Sequence, residues 1–227
     1  MVKVQLPVDV ESEHEADALH FWDGHGAVRL LAHDPERRAL LLERCRPGTQ
    51  LWEEPEEQAV GIAAEVLRRL WRPAPAKHPY RLLADEGARW AEQLPRQWDE
   101  LGRPVERSVI DQALAALREL APAQGELVVC HQDFQGSNVL RAEREPWLAI
   151  DAKPIVGERE FDTASFLRDR RWELTAATVR RRLDRLSADL ELDRERMRLW
   201  GIAHTLAWDG LNDEGMTAAA RFLAEAR

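Results

Sequence analysis

The sequence predicts an α+β fold in which a short β-rich segment is followed by a longer, mainly helical one. Residues 2–6 and 27–44 contain the alternating apolar residues and short apolar runs that are typical of strands. Pro47 and Gly48 then interrupt regular structure. Beyond this break, apolar residues recur mostly at helical spacing, for example in residues 179–190. These three observations indicate two structural units.

The first unit, residues 1–48, is predicted to contain three strands and one helix. VKVQL (2–6) alternates apolar and polar residues, which predicts a strand. ESEHEADALHFW (11–22) is predicted to be a helix, because its acidic first turn suits the helix dipole. AVRLLA (27–32) and ALLLER (39–44) flank a turn-rich link and therefore predict an antiparallel hairpin.

The second unit, residues 49–227, is predicted to be mainly helical. Pro55 is well placed at a helix start. Residues 84–101 are predicted to form a helix that Pro95 must kink or end, because proline removes a hydrogen bond from the helix. SVID (108–111) resembles a capping box, which predicts that the next helix begins there.

Three oxygen-bearing side chains follow predicted strands in the second unit. ELVVC (126–130) is strand-like and leads to Asp133, whereas residues 138–151 are predicted to form a strand, a polar turn and a second strand. This arrangement can bring Asp133, Asn138 and Asp151 to one end of a hairpin. Mg²⁺ prefers carboxylate, amide and phosphate oxygens, and phosphoryl transfer needs such a cation and a proton-accepting carboxylate. A phosphatase-type metal site and ordinary turn chemistry are the alternatives.

The composition excludes several classes of function. The chain has 227 residues, of which 44% are hydrophobic and 32% charged, as is ordinary for a soluble globular protein. The formal net charge of −9 argues against non-specific nucleic-acid binding, which needs clustered positive charge. No apolar run approaches a membrane span, and no secretory signal pattern is present. We therefore expect a cytoplasmic protein with no nucleic-acid and no membrane partner, in which Cys45 and Cys130 are free thiols.

The spacing His131-x-Asp133-x-x-x-x-Asn138 resembles the catalytic loop of the protein kinase superfamily, and Asp151 matches its metal-binding aspartate. The segment PWLAIDAKPIVGEREFD (146–162) resembles the aminoglycoside phosphotransferase family, in particular its streptomycin 6-phosphotransferase and hydroxyurea phosphotransferase branch. GHGAVRLL, ALLLERCRPGTQL and REPWLAID resemble the same branch, so the resemblance covers most of the chain. It implies a protein-kinase-like two-lobe fold with a truncated β-rich N-lobe and a mainly helical C-lobe.

The resemblance also implies roles for the residues of this loop. Asp133 would orient and deprotonate the substrate hydroxyl, and His131 would support the loop through hydrogen bonds. Asn138 and Asp151 would coordinate Mg²⁺ on the phosphates of ATP. The implied cofactors are therefore ATP and Mg²⁺.

Four residues of the first unit match nucleotide-binding positions of the family. Lys3 matches the lysine that pairs with the α- and β-phosphates, and Glu15 matches the helix glutamate that pairs with that lysine. LERC (42–45) matches the linker between the lobes, so the backbone of Glu43 and Cys45 would bind adenine. The alternatives are a solvated lysine on an edge strand and an acidic helix face.

The chain departs from the family pattern at two positions and at its start. Gln132 stands where the family usually has Gly, and Ala152 replaces the usual Pro. In the family, two strands and a phosphate-covering loop precede the strand that bears Lys3, whereas here that strand begins the chain. We therefore expect either weak nucleotide binding or a working protein that starts upstream of Met1.

The resemblance implies an ATP-dependent kinase that transfers the γ-phosphoryl group to a hydroxyl of a cationic, aminoglycoside-like acceptor and confers antibiotic resistance. Carboxylates and aromatic faces suit such an acceptor. Alternatives are a kinase for hydroxyurea or another small alcohol, and a catalytically weak homologue that acts as a binding module. An open sheet edge also suggests a homodimer. Candidate cleft residues, for which ordinary surface charge and core packing are the alternative, are Glu86, Trp90, Trp208, Asp209, Asp213 and Glu214.

Overall fold

The computed structural model describes residues 1–6, 8–208 and 210–227, which form an α+β fold. The strands are β1 (Val2–Val4), β2 (Leu30–Asp34), β3 (Ala39–Leu42), β4 (Arg81–Leu82), β5 (Leu127–Cys130), β6 (Val139–Arg141), β7 (Trp147–Ala149) and β8 (Ile155–Glu158). The helices are α1 (Glu15–Trp22), α2 (Glu56–Leu70), α3 (Leu83–Glu100), α4 (Arg107–Leu120), α5 (Arg159–Asp162), α6 (Ala164–Leu167), α7 (Ala176–Leu190), α8 (Arg194–Ala207) and α9 (Glu214–Glu225). Among these helices, none has the length and apolar character that crossing a membrane requires.

The first sheet has the order β1-β3-β2, and the predicted hairpin of β2 and β3 is confirmed. Lys3 lies opposite Leu40 in the antiparallel register of β1 and β3, so both occupy the same face of the sheet. Leu40 on this face is fully buried, which explains the alternating pattern of the strands. Helix α1 begins at Glu15, later than predicted, because the N–H and hydroxyl of Ser12 bind Asp9 in a preceding turn.

The polar loops lie on two small sheets in the rest of the chain. Strands β6 and β7 form the predicted antiparallel hairpin. A second sheet has the order β4-β8-β5, and the sequence did not indicate either β4 or β8. Strand β4 has only two residues and lacks a periodic pattern, whereas β8 is buried along its whole length and reads as part of a loop with Gly157. The Glu158 carboxylate accepts hydrogen bonds from Trp200 and Arg196, which joins β8 to α8.

The helical core is built around α8, which packs against α4, α6 and α9. Helix α3 continues through Pro95 without ending there, because Trp90, Leu94 and Trp98 are all buried along one stripe of the helix. The capping-box prediction is wrong. Helix α4 begins at Arg107, and its first turn has no side-chain cap.

Two glycines inside helices give opposite expectations. A Cβ added at Gly87 in α3 would lie 2.5 Å from the Cβ of Ala121, so Gly87→Ala should lower the free energy of unfolding by about 1–3 kcal/mol. In α2, a Cβ at Gly61 would meet only the Arg185 side chain at 3.8 Å. Gly61→Ala should therefore raise the free energy of unfolding by up to about 1 kcal/mol through helix propensity. Urea unfolding of both variants checks this pair, and equal effects would contradict the close approach at Gly87.

Candidate active site

The loop after β5 holds Asp133 and Asn138 against one another. The amide nitrogen Nδ2 of Asn138 donates to the backbone oxygen of Asp133 at 2.9 Å and to its carboxylate oxygen Oδ2 at 3.1 Å. Gln135 Nε2 donates to the other carboxylate oxygen at 3.3 Å. Amide donors thus orient both oxygens of Asp133, while its half-buried side chain remains accessible from one side.

The backbone conformation of Gln132 is one that glycine adopts readily, which agrees with the glycine usual at this position in the family that the sequence resembles. Its φ of 65° lies in the left-handed region, which costs a residue with a Cβ about 1–2 kcal/mol. Its backbone N–H donates to Asp162 Oδ1 at 2.7 Å, and its carbonyl accepts from Ser165 Oγ at 2.8 Å. The left-handed turn is therefore held from both sides, and it directs the chain into Asp133.

Asp162 is a structural residue of the site that the sequence reasoning missed. Its side chain is fully buried, and its second carboxylate oxygen accepts from Trp71 Nε1 at 2.9 Å. Burial raises the pKa of Asp162 to about 6, although hydrogen bonds from the backbone and Trp71 oppose this. The segment EREFD that contains Asp162 carried the family resemblance, but only the structure shows its contact with the catalytic loop.

Lys3 joins the first sheet to the loop after β7. Its ammonium group lies 2.5 Å from a carboxylate oxygen of Glu15 and 2.5 Å from Oδ1 of Asp151. Burial raises the pKa of Glu15, whereas the pKa of Asp151 is lowered because the Lys3 hydrogen bond and charge outweigh burial. The structure therefore brings Lys3, Glu15 and Asp151 into one charged group.

Lys153 is a second residue without an assigned role in the sequence reasoning. Its ammonium group lies 2.5 Å from Asp9 and 4.0 Å from Asp151, and its backbone N–H donates to the carbonyl of His131. Burial alone would lower the pKa of Lys153, but the hydrogen bond that Lys153 donates to Asp9 and the nearby carboxylates outweigh this and raise the pKa, so the residue is a cation at neutral pH. Lys153 lies two residues after Asp151 in the segment that carried the family resemblance, and this proximity could have indicated it.

Burial shifts the two acid–base groups of the loop in opposite directions. It raises the pKa of Asp133 to about 6, against the lowering effect of the Arg168 guanidinium. It lowers the pKa of His131 to about 4, so the imidazole is neutral at neutral pH. His131 Nε2 therefore donates to the Ile150 carbonyl at 2.9 Å, and the ring stacks on Trp22 with centroids 6.3 Å apart. In this position His131 supports the loop.

The oxygen atoms of Asn138 and Asp151 fit a magnesium ion that is shared with phosphate groups. The described residues contain no cluster of three or more His, Cys, Asp or Glu side chains that would hold a metal alone. Asp151 keeps 41% of its side chain exposed, and only one of its carboxylate oxygens contacts Lys3. Mg²⁺ usually combines one or two protein ligands with substrate phosphates and waters, which matches this donor set.

Glu43 and Cys45 lie in the irregular segment after β3. The Glu43 carboxylate pairs with Arg144 at 2.9 Å, and the same guanidinium donates to the backbone of residues 24 and 27. The Glu43 side chain is thus occupied, and its backbone N–H donates to the Arg29 carbonyl at 2.9 Å, which leaves its backbone oxygen for a ligand. Burial raises the pKa of Cys45 to about 11, so this residue stays a thiol.

The candidate cleft residues separate into different environments. Trp90 is 2% exposed and packs against Phe161 and His204, so it belongs to the core. Trp208 is half-buried, and its Nε1 donates to both carboxylate oxygens of Glu11 at 2.8 Å.

The remaining acidic cleft candidates have structural partners or lie at the surface. Glu86 pairs with Arg89, whereas Asp213 caps α9 and pairs with Arg170. Glu214 is exposed in the first turn of α9. Asp209 lies outside the described residues.

The neutral, buried His131 gives a prediction about stability and pH. An unfolded histidine binds a proton near pH 6.5, whereas folded His131 resists protonation to about pH 4, so stability is lost as the pH falls through this window. Between pH 7 and pH 4, the free energy of unfolding of His131→Gln should therefore fall by about 3 kcal/mol less than that of the parent. Urea unfolding between pH 7 and pH 4 measures it. The exposed His33→Gln variant is the control, and an equal pH dependence in both variants would contradict the prediction.

Comparison with known proteins relates most of the chain to one group of kinases. Residues 1–214 match the family "Aminoglycoside/hydroxyurea antibiotic resistance kinase". The streptomycin 6-kinase of Streptomyces griseus is 39% identical over a region covering 96% of this chain and 73% of that protein. The hydroxyurea phosphotransferase of Kitasatospora aureofaciens is 36% identical and covers 90% of this chain and 59% of its own length.

Solved structures show the same fold at low sequence identity. The choline kinase LicA from Streptococcus pneumoniae has a TM-score of 0.67 at 15% identity, covering 99% of this chain and 84% of its own. A thermostable mutant of aminoglycoside phosphotransferase APH(4)-Ia, in a complex with ADP and hygromycin B, has a TM-score of 0.61 at 17% identity, covering 95% of this chain and 82% of its own. The predicted protein-kinase-like α+β fold is confirmed. The chain belongs to the aminoglycoside/hydroxyurea antibiotic resistance kinase family.

Proposed function

We propose that this chain is an ATP-dependent phosphotransferase that moves the γ-phosphoryl group to a hydroxyl of an aminoglycoside-like small molecule and so confers antibiotic resistance. The observation that carries the proposal is that three segments meet: the loop after β5, the end of the hairpin of β6 and β7, and strand β1. Asp133 and Asn138 share one clamped loop, and Asp151 lies beside Lys3 at the end of the neighbouring hairpin. A base, two metal-binding oxygens and a phosphate-binding cation are the parts that phosphoryl transfer requires.

In the proposed reaction, Asp133 accepts the proton of the attacking hydroxyl. A carboxylate with a pKa of about 6 is ionised at neutral pH and is a stronger base than an exposed aspartate. Asn138 and Asp151 would hold Mg²⁺, which supplies charge neutralisation on the phosphate oxygens when bound. His131 and Asp162 do not reach the reacting atoms in this scheme, and they keep the loop in position.

Lys3 is proposed to bind the α- and β-phosphates while Glu15 keeps it in place. The Glu15 carboxylate is fully buried and accepts hydrogen bonds from both Lys3 and Gln5. The backbone of Glu43 and Cys45 is proposed to bind adenine. In this arrangement residues 1–48 form the nucleotide lobe and residues 49–227 carry the catalytic loop and the acceptor.

A streptomycin-type acceptor is the first choice, because the matching relatives include two named streptomycin 6-kinases at 39% and 38% identity. The formal net charge of −9 also suits a cationic acceptor in the cytoplasm. Hydroxyurea or another small alcohol is the second choice, since a hydroxyurea phosphotransferase is 36% identical. A phosphate-transfer assay over streptomycin, other aminoglycosides and hydroxyurea distinguishes these acceptors.

Replacing the proposed base should abolish transfer without unfolding the protein. Asp133→Ala should lower kcat by about 10²–10⁴-fold, the usual contribution of a positioned base. The thermal midpoint should stay close to that of the parent, because burial already disfavours the charged carboxylate. ADP release in the presence of acceptor measures the first effect and calorimetry the second.

The exposed Asp111→Ala is the matched control for this experiment, and it should leave kcat unchanged. Undiminished turnover in the Asp133 variant would remove the assignment of the base. Isothermal titration with Mg-ATP completes the test. Binding without transfer to any acceptor would favour a binding module over an enzyme.

The edge of β1 gives a prediction about assembly. Met1 and Gln5 form backbone hydrogen bonds with the β3 side, so the N–H groups of Val2 and Val4 point away from β3. We propose that this edge pairs with a second copy of the chain. Light scattering should then give twice the 26.0 kDa of one chain, and a monomer at high concentration would contradict the homodimer.

A further inference from the structure

A cluster of buried polar side chains lies next to the proposed base. Gln132 is 1% exposed, Arg168 6% and His204 0%. Arg168 donates to Ser165 Oγ at 3.2 Å, and this hydroxyl donates to the carbonyl of Gln132, so the cluster is continuous with the loop that bears Asp133. We call Gln132, Arg168 and His204 the buried polar cluster.

Trp208 and Arg81 border the buried polar cluster. The Trp208 ring stacks on His204 with centroids 4.8 Å apart, and the Arg168 guanidinium lies 5.3 Å from the Trp208 ring centroid. Arg81 donates to Gln132 Oε1 at 2.8 Å. Trp208 and Arg81 are half-buried, and both side chains meet Glu11.

Four polar atoms of the cluster have no hydrogen-bond partner among the described residues. They are Gln132 Nε2, Arg168 Nη1 and both ring nitrogens of His204. Buried polar groups in native proteins almost always have a partner, and the exceptions need an explanation. Four such atoms in one place, beside the base of the proposed reaction, indicate a site that is completed by another molecule.

The donors of the cluster select the kind of group that can fill it. Gln132 Nε2 and Arg168 Nη1 can only donate, whereas neutral His204 offers one donor and one acceptor. Burial and the nearby Arg168 and Arg81 charges keep the pKa of His204 well below its usual range, so the imidazole carries no charge. An ammonium or guanidinium group would face two arginines here and would find few acceptors. Neutral hydroxyl or carbonyl oxygens would satisfy all the donors.

We propose that Gln132, Arg168 and His204 form a specificity subsite for the neutral, oxygen-bearing part of the acceptor that carries the reacting hydroxyl. The cationic substituents of the acceptor then point away from this subsite. The inference rests on the proposed function, and Gln132 is a residue at which the chain departs from the glycine pattern of the family that its sequence resembles. The Gln132 side chain should therefore restrict this chain to fewer acceptors than a homologous kinase with glycine at this position.

Gln132→Gly is the sharpest test, because glycine adopts the left-handed conformation at this position without strain. The variant should raise the KM for streptomycin about tenfold or more, since a hydrogen bond to the acceptor is lost. The KM for ATP should stay within about twofold and the thermal midpoint should not fall, a split that a merely structural role would not produce.

Arg168→Lys provides a second, independent variant, because lysine keeps the charge but loses the planar set of donors. It should also raise the KM for the acceptor without raising the KM for ATP. The acceptor is streptomycin, or hydroxyurea where hydroxyurea is the substrate. The exposed Arg118→Lys on α4 is the matched control and should change neither KM. If both cluster variants leave the acceptor KM unchanged, water fills the unpartnered positions and the subsite is wrong. A parallel rise of both KM values with a lower thermal midpoint would also overturn it.

Binding measurements separate failure of the subsite from failure of the proposed function. Isothermal titration of streptomycin or hydroxyurea is carried out on the parent chain and on Gln132→Gly, in the absence of ATP. Weaker binding by the variant supports the subsite even when no phosphate is transferred, in which case the proposed function alone fails. If the parent transfers phosphate and both proteins bind the acceptor equally well, the proposed function stands and the subsite is wrong. No binding of either acceptor by the parent removes the subsite as well.

Discussion

The hydrogen bond from the backbone of Gln132 to the buried Asp162 carboxylate is the interaction on which the candidate site depends. The left-handed conformation of Gln132 costs about 1–2 kcal/mol, whereas a hydrogen bond to a charged group contributes about 1.5–3 kcal/mol. The bond at 2.7 Å therefore offsets the strain, and Ser165 adds a second restraint on the same residue. Because Asp133 follows directly, its position is set by a carboxylate that is itself fully buried.

A second constraint joins this loop to the first sheet. Lys3 uses two of its three N–H donors on Glu15 and Asp151 and keeps one for another partner. A phosphate oxygen can therefore bind the ammonium group while both carboxylate contacts remain. Asp151, like Gln132, has a positive φ, of 60°, so two strained residues flank the place where the loops meet. Such strain persists where the surrounding contacts hold it, and it is concentrated at functional sites.

The sequence predicted the elements that depend on local pattern and missed those that depend on tertiary contacts. The hairpins and the buried stripe of α7 follow from apolar spacing, and the loop spacing of Asp133 and Asn138 indicated the site through family resemblance. Strand β4 has two residues, so its existence rests on pairing with β8 rather than on its own pattern. The contacts of Asp162 and the packing of Arg168 are equally invisible locally, since Asp162 binds Gln132, 30 residues away, and Arg168 packs on the ring of Trp208 in a different helical region.

Burial links the basicity of Asp133, the proposed base, to the proposed recognition of the acceptor. Removing water from the loop raises the pKa of Asp133 to about 6. Without a nearby cation this pKa would be higher still, and the carboxyl group would lose its charge at neutral pH. Arg168 supplies that cation, and its pKa stays at about 10 despite burial, so it remains charged. The same burial leaves Arg168 Nη1 without a partner among the described residues. An acceptor oxygen that binds this atom would reduce its desolvation cost, and because the Arg168 charge also acts on the pKa of Asp133, such binding would be coupled to the proposed base.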